Sequence, residues 1–124
     1  MSESTELFPP PNENSPVMVT TNFALTYFIV SGEIEASRVP SYLLIKNSEG
    51  LSVMTAWAAG KFAGDDVGMF VKKSGIADKV KSQEIIIPGY AASIAGDMEE
   101  ELPGWKITVG PREAAHLPAF LKAR

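Results

Sequence analysis

Four short apolar segments constrain this chain more than anything else in it: "PVMVT" (16–20), "SYLLIK" (41–46), "EIIIP" (84–88) and "WKITVG" (105–110). They are rich in Val and Ile and mostly continuous rather than alternating, the pattern of strands buried on both faces of a parallel sheet. Parallel neighbours need long crossovers, and the intervening stretches are long enough for helices. Residues 21–38 supply the first, although "TYFIVSG" also has strand character and Gly32 weakens a helix. The second, 51–81, reads as two helices broken at Gly64, with Leu51, Met54, Ala58 and Phe62 on one face and Val67, Phe70 and Val71 on the next. The third, 91–102, places Ala91, Ile94, Ala95, Met98 and Leu102 on one stripe and stops at "LPG". A last helical stretch covers 112–122, where Pro118 forces a kink or opens a second short turn. The order β, α, β, αα, β, α, β, α predicts an α/β fold. It is an open, mainly parallel sheet of about four strands with right-handed crossovers and helices on both faces, a Rossmann-like or flavodoxin-like three-layer arrangement.

The first sixteen residues, "MSESTELFPPPNENSP", are polar and Pro-rich, with only Leu7 and Phe8 offering bulk for a core. Ordering them would cost entropy for little return, so 1–16 is expected to be a flexible linker or tail and 17–124 one folded unit. That length closes a single core without disulfides or a metal. The chain has no Cys, which excludes a disulfide framework, a thiolate zinc site or a cysteine-ligated iron–sulfur cluster built from this chain alone. No apolar run reaches the roughly 18–20 residues that span a bilayer, and the start lacks the features of a signal peptide. The expectation is a cytoplasmic chain with no membrane partner. A net charge of −4 without a basic cluster argues against nucleic acid, because neutralising phosphates takes concentrated Lys and Arg.

In open α/β sheets ligands sit beyond the carboxyl ends of the strands, where loops converge and helix N-termini present unpaired N–H groups. The loops there are "TTN" (20–22), "NSEGLS" (47–52), "PGY" (88–90) and "GPRE" (110–113). Gly50, Gly89 and Gly110 let the backbone bend or approach a ligand, and Thr20, Thr21 and Ser52 offer hydrogen bonds. One of Thr20, Thr21 and Asn22 is expected to cap the following helix. Capping needs one such residue and three stand together, so the surplus suggests a loop that holds something. Thr26 falls a little over one turn into the helix, on the face of Asn22.

Other features read as structure first. The small residues Ala56, Ala58, Ala59 and Gly60, and Ala91, Ala92, Ser93, Ala95 and Gly96, suit close helix–sheet packing and would also leave room for a bulky planar ligand. Trp57 and Trp105 lie beside no basic groove and fit core or rim packing. "DMEEE" (97–101) is a solvated face or, more sharply, a docking surface for a basic partner. His116 is the only histidine, and it lies in "AAHLPAF" with no acid adjacent. No Walker loop, GxGxxG or HExxH is present, so nothing points to self-contained catalysis. The residues by themselves describe a small α/β module whose loop edge binds an uncharged or modestly polar ligand.

Taken together, "VTTNFALTYF", "GEIEASRVPSYLL", "EGLSVMTAWAAGKF", "IIPGYAASIAG" and "EEELPGWKITVGPREAAHLPAFL" closely resemble the C-terminal domain of the large (gamma) subunit of the corrinoid iron-sulfur protein. The likeness runs from about residue 15 to the end. It implies a corrinoid (cobalamin)-binding domain of a methyl carrier in the carbon monoxide dehydrogenase/acetyl-CoA synthase system of the reductive acetyl-CoA pathway. A methyl group carried on cobalt would arrive from a methyltetrahydrofolate or pterin methyltransferase and leave to acetyl-CoA synthase. Further implied partners are the small subunit and a reductive activator. The resemblance also implies a base-off corrinoid with no protein histidine on the metal, and Ala114 stands where the DxHxxG motif of histidine-on corrinoid proteins has Asp. Carried over by position, the cofactor contacts are Thr20 and Thr26 beneath the corrin, Gly50, Leu51, Ser52 and Val53 along the nucleotide tail, and Ala114 after the last strand.

Members of that family also carry a four-cysteine iron–sulfur domain and a central TIM barrel, and this sequence contains neither. It is expected to be an excised domain or a stand-alone relative that holds no iron–sulfur cluster, cannot supply electrons for reactivation, and leaves its cofactor exposed. The alternative expectation is a cofactor-free interaction domain that docks the small subunit or a reductive activator.

Overall fold

The structure, a computed structural model, describes residues 3–8 and 11–124. A five-stranded sheet forms the middle layer, built from β1 (Ser4–Phe8), β2 (Val17–Thr21), β3 (Ser41–Lys46), β4 (Glu84–Ile87) and β5 (Lys106–Val109) in the order β1-β3-β2-β4-β5. Strands β3, β2, β4 and β5 are parallel; β1 runs antiparallel along β3 with Phe8 opposite Ser41 and Ser4 opposite Ile45. Every residue of β2 and β3 is buried, which is why their sequences are apolar throughout instead of alternating.

The α/β class, the parallel core and the helices on both faces agree with the expectation; the strand count does not. The fifth strand lies in the Pro-rich start, expected to be a tail. "STELF" has one inward-facing bulky residue, Phe8, and on a sheet edge that suffices, because pairing on one side satisfies half of its backbone groups. The Tyr27 hydroxyl also donates to the Glu6 carboxylate, fastening the strand to the first helix.

Among the described residues five α-helices cover the sheet: α1 (Ala24–Ser37), α2 (Val53–Ala58), α3 (Gly64–Ser74), α4 (Ala95–Glu101) and α5 (Leu117–Lys122). One core, with Val17, Val19, Leu44, Ile85, Val67 and Met98, lies on the side of α2, α3 and α4. The other, with Met18, Leu43, Ile45, Ile86, Ile34 and Leu121, lies on the side of α1 and α5. Each fully buried aliphatic side chain contributes about 1.5–3 kcal/mol relative to exposure. None of the helices among the described residues is long and apolar enough to cross a membrane.

Two local expectations are corrected. The break in the second crossover falls at Gly60, which takes φ +74, while Gly64 opens α3. The buried face of α2 is Val53 and Ala56, with Met54 exposed; a helix of six residues is too short for its pattern to define a face. Gly64 and Gly68 instead let α3 lie against α4: a Cβ at Gly64 would come 2.5 Å from the Asp97 Cβ, and one at Gly68 2.6 Å from the Glu101 Cγ. Lys72 then pairs with Glu101 at 3.1 Å, so part of the acidic run is used within the fold. Nearly buried, Lys46 at the end of β3 reaches Asp66 in the first turn of α3 at 2.9 Å.

Candidate functional site

Strand β2 is flanked by β3 and β4, so the chain leaves its carboxyl end toward one side of the sheet and leaves that of β4 toward the other. Such a switch point leaves a crevice beyond the strand ends. A pocket of about 620 Å³ opens there, between α1, the ends of β2 and β4, the start of α2, and the segment 110–115 that leads into α5.

Thr20 forms part of its floor. The side chain is 1% exposed, and its Oγ1 has no hydrogen-bond partner among the described residues. A buried hydroxyl without a partner costs about 1–3 kcal/mol, which makes it an unusual thing for a fold to keep. The expected helix cap is not found in the polar triplet. Phe23 occupies the cap of α1 with no side-chain bond, and Thr21 Oγ1 only receives the Phe23 N–H at 3.5 Å.

Asn22 is turned to a different task. Its Oδ1 accepts from the Ser48 N–H at 3.0 Å and the Gly50 N–H at 3.1 Å and lies 3.1 Å from the Ser48 Oγ, while its Nδ2 donates to Asn47 Oδ1 at 3.0 Å. The loop after β3 is thereby pinned to the end of β2. Ser48 Oγ donates to the Leu51 carbonyl at 2.6 Å, and Ser52 then caps α2 by accepting from the Thr55 N–H at 3.4 Å.

Of the residues expected at the site, Thr20, Thr26, Ser52, Val53 and Ala114 line the pocket together. Gly50 and Leu51 do not; their backbones serve the loop itself, with Gly50 at φ +78. His116 is exposed and outside the lining. On the far wall the ends of β4 and β5 are zipped by the Gly110 N–H to the Ile87 carbonyl at 2.8 Å. A Cβ at Gly89 would lie 2.6 Å from the Arg112 nitrogen, so only glycine lets these loops meet.

Four further features emerge from the structure. Ile29, Val30 and Glu33 join Thr26 in the lining; the spacing i, i+3, i+4, i+7 makes one stripe about 10 Å long on α1, a signal readable from the sequence once Thr26 is chosen. Met54 and Tyr90 are exposed apolar groups in the lining. The Tyr90 hydroxyl donates to Glu113 at 3.2 Å. Arg112 stands over the Tyr90 ring at 5.9 Å. The arrangement is a mainly apolar trough with hydroxyls on its floor and charges at three points. Among the described residues no group of three or more His, Cys, Asp or Glu side chains is placed to hold a metal ion.

Comparison with known proteins gives a family described by a delta subunit and relatives named as large or gamma subunits. The model of the family described as CO dehydrogenase/acetyl-CoA synthase delta subunit matches residues 1–121. The corrinoid/iron-sulfur protein large subunit of Moorella thermoacetica is 53% identical over 112 residues, which cover 90% of this chain and 25% of that protein. The acetyl-CoA decarbonylase/synthase complex subunit gamma of Methanothermobacter thermautotrophicus is 41% identical over 110 residues, 89% of this chain and 24% of the relative. The subunit of the same name from Methanopyrus kandleri is 41% identical over 112 residues, again 90% and 24%. The chain spans about a quarter of the length of these relatives.

Proposed function

The chain belongs to the CO dehydrogenase/acetyl-CoA synthase delta subunit family, and from that premise we propose that its switch-point pocket holds a base-off corrinoid as part of a methyl carrier. The name of the Moorella relative, a corrinoid/iron-sulfur protein subunit, supports the choice of ligand. The observation that carries it is the buried hydroxyl of Thr20, without a partner among the described residues, in a residue that lines a pocket walled mainly by apolar side chains. A macrocycle edged with carboxamides is both apolar and hydrogen-bonding, which suits that mixture.

On this reading Thr20, Thr26, Ile29, Val30, Ser52, Val53 and Ala114 would hold the ring, the threonines by hydrogen bonds to its amide-bearing edge and the aliphatic side chains by packing, and the loop 47–52 set by Asn22 would hold the nucleotide tail. A bound corrinoid would supply a cobalt centre able to accept and donate a methyl group, and the protein's part is to bind and orient it without an imidazole. The partners that follow are a methyltetrahydrofolate or pterin methyltransferase, acetyl-CoA synthase, the small subunit and a reductive activator.

Titration with cobalamin, followed by visible absorption and by protein-bound cobalt after dialysis, tests the reading. Saturable binding with a shifted spectrum is expected, and Thr26→Val should weaken it while leaving thermal stability almost unchanged. No bound cobalt at high micromolar cobalamin would overturn it. A second reading, a cofactor-free interaction domain, is favoured by Leu25 and Phe28 on α1, which are 60% and 66% exposed. Firm association with the small subunit or activator in the absence of corrinoid, and no binding of cobalamin, would select that reading.

A further inference from the structure

The stripe of α1 that faces the pocket begins with a hydroxyl, Thr26, continues through Ile29 and Val30, and ends in the carboxylate of Glu33. Glu33 is half-buried and has no hydrogen-bond or ion-pair partner among the described residues. A carboxylate is an acceptor only, so a ligand that covers it and displaces water must bring an N–H or O–H donor in its place. The other charges in the lining are Arg112, over the Tyr90 ring, and Glu113, which already receives the Tyr90 hydroxyl. Arg112 has no hydrogen bond or ion pair among the described residues either, so Glu33 is the acidic group of the pocket left for a ligand, and it sits about 10 Å along the helix from Thr26.

We infer that Glu33 is a specificity-determining residue of this pocket: it accepts a hydrogen bond from a carboxamide on the ligand's rim and disfavours a ligand that carries a carboxylate there. The inference rests on the corrinoid reading above and deepens it. Corrinoids differ in how far their peripheral acids are amidated. A primary amide presents N–H donors to Glu33, whereas an unamidated acid brings a second negative charge and no donor. Discrimination by repulsion is as effective as discrimination by attraction, since specificity is a difference of two affinities.

Cobinamide and cobyrinic acid separate these cases, because both lack the nucleotide tail and differ in rim amidation. Affinities are measured by equilibrium dialysis on the whole chain, with Glu33→Gln and, as a control for overall charge, Glu100→Gln on the exposed face of α4. Gln and Glu have similar helix propensity, so the fold is kept, and circular dichroism checks it. The expected result is that the wild-type chain prefers cobinamide by about tenfold or more, that Glu33→Gln cuts the preference to about threefold or less, mainly by admitting cobyrinic acid, and that Glu100→Gln leaves it alone. A preference unchanged in Glu33→Gln, or shifted equally in Glu100→Gln, would overturn the role of Glu33 while leaving the corrinoid reading intact. Failure of the wild-type chain to bind either compound would overturn both.

Discussion

Asn22 at the end of β2 accepts the Gly50 N–H at 3.1 Å, so a side chain from one strand end holds the loop that follows its neighbour. The same oxygen serves the Ser48 N–H. Asn22→Ala would strip both N–H groups of their acceptor and should lower stability by about 2–3 kcal/mol in urea unfolding. Amide exchange should quicken in 47–52 more than in β2 and β3. Asn22→Asp keeps the acceptor but loses the donor to Asn47 Oδ1, and should recover only part of the loss. An alanine variant within about 0.5 kcal/mol of wild type would show that the loop holds itself.

Thr20 gives the opposite sign. Its Oγ1 is buried and unpartnered, so Thr20→Val removes a polar atom that folding leaves unsatisfied and keeps a β-branched side chain on a central strand. Stability should be unchanged or higher by up to about 1 kcal/mol, while cobalamin binding falls several-fold. A clear loss of stability would mean that the hydroxyl is bonded in the folded protein and is not kept for a ligand.

Two glycines in helices should answer differently to alanine. Gly32 in α1 has nothing within 4 Å of a built Cβ, and Gly32→Ala should stabilise by about 0.5–1 kcal/mol through helix propensity and a less flexible unfolded chain. Gly64 in α3 faces the Ile94 carbonyl at 2.7 Å as well as Asp97, and Gly64→Ala should cost about 1–3 kcal/mol despite the same propensity gain. Thermal unfolding of both variants checks the pair; a stabilised Gly64→Ala would show that α3 and α4 are free to separate.

Burial pushes the Glu84 carboxyl upward, but hydrogen bonds from the Thr108 hydroxyl at 2.5 Å and from Arg124, with the positive charges of Arg124 and Lys106, outweigh it. The group is held below its ordinary 4.5. A depressed folded value means that folding favours the ionised form. The contribution is complete above the ordinary value and is lost as pH falls through the folded one. Glu84→Gln should therefore be less stable than wild type at neutral pH, with the gap closing on acidification below about pH 4.5. A gap independent of pH would place the effect in packing and not in the carboxylate.

The legible parts of this chain were those with local periodicity. Continuous burial of Val17–Thr21 and Ser41–Lys46 on both faces writes itself as unbroken apolar sequence, and Val67, Phe70 and Val71 mark the inner face of α3 by their spacing. The loops beyond the parallel strands could be chosen as the site edge for the same reason, since topology places them there. Strand β1 was not legible, because its reasons for existing are distant: the free edge of β3, the pocket for Phe8 and the Tyr27 hydroxyl.

Sequence alone thus determined the layers, the parallel core and the rim at which a ligand would enter, because burial on one or both faces leaves a local pattern of apolar residues even where the pairing itself is distant. Tertiary structure decided that Asn22 is a clamp and not a cap and that the Thr20 hydroxyl is left without a partner among the described residues. Those facts depend on hydrogen bonds and empty space between elements some 25 or more residues apart, and no local pattern encodes which polar groups find one another there.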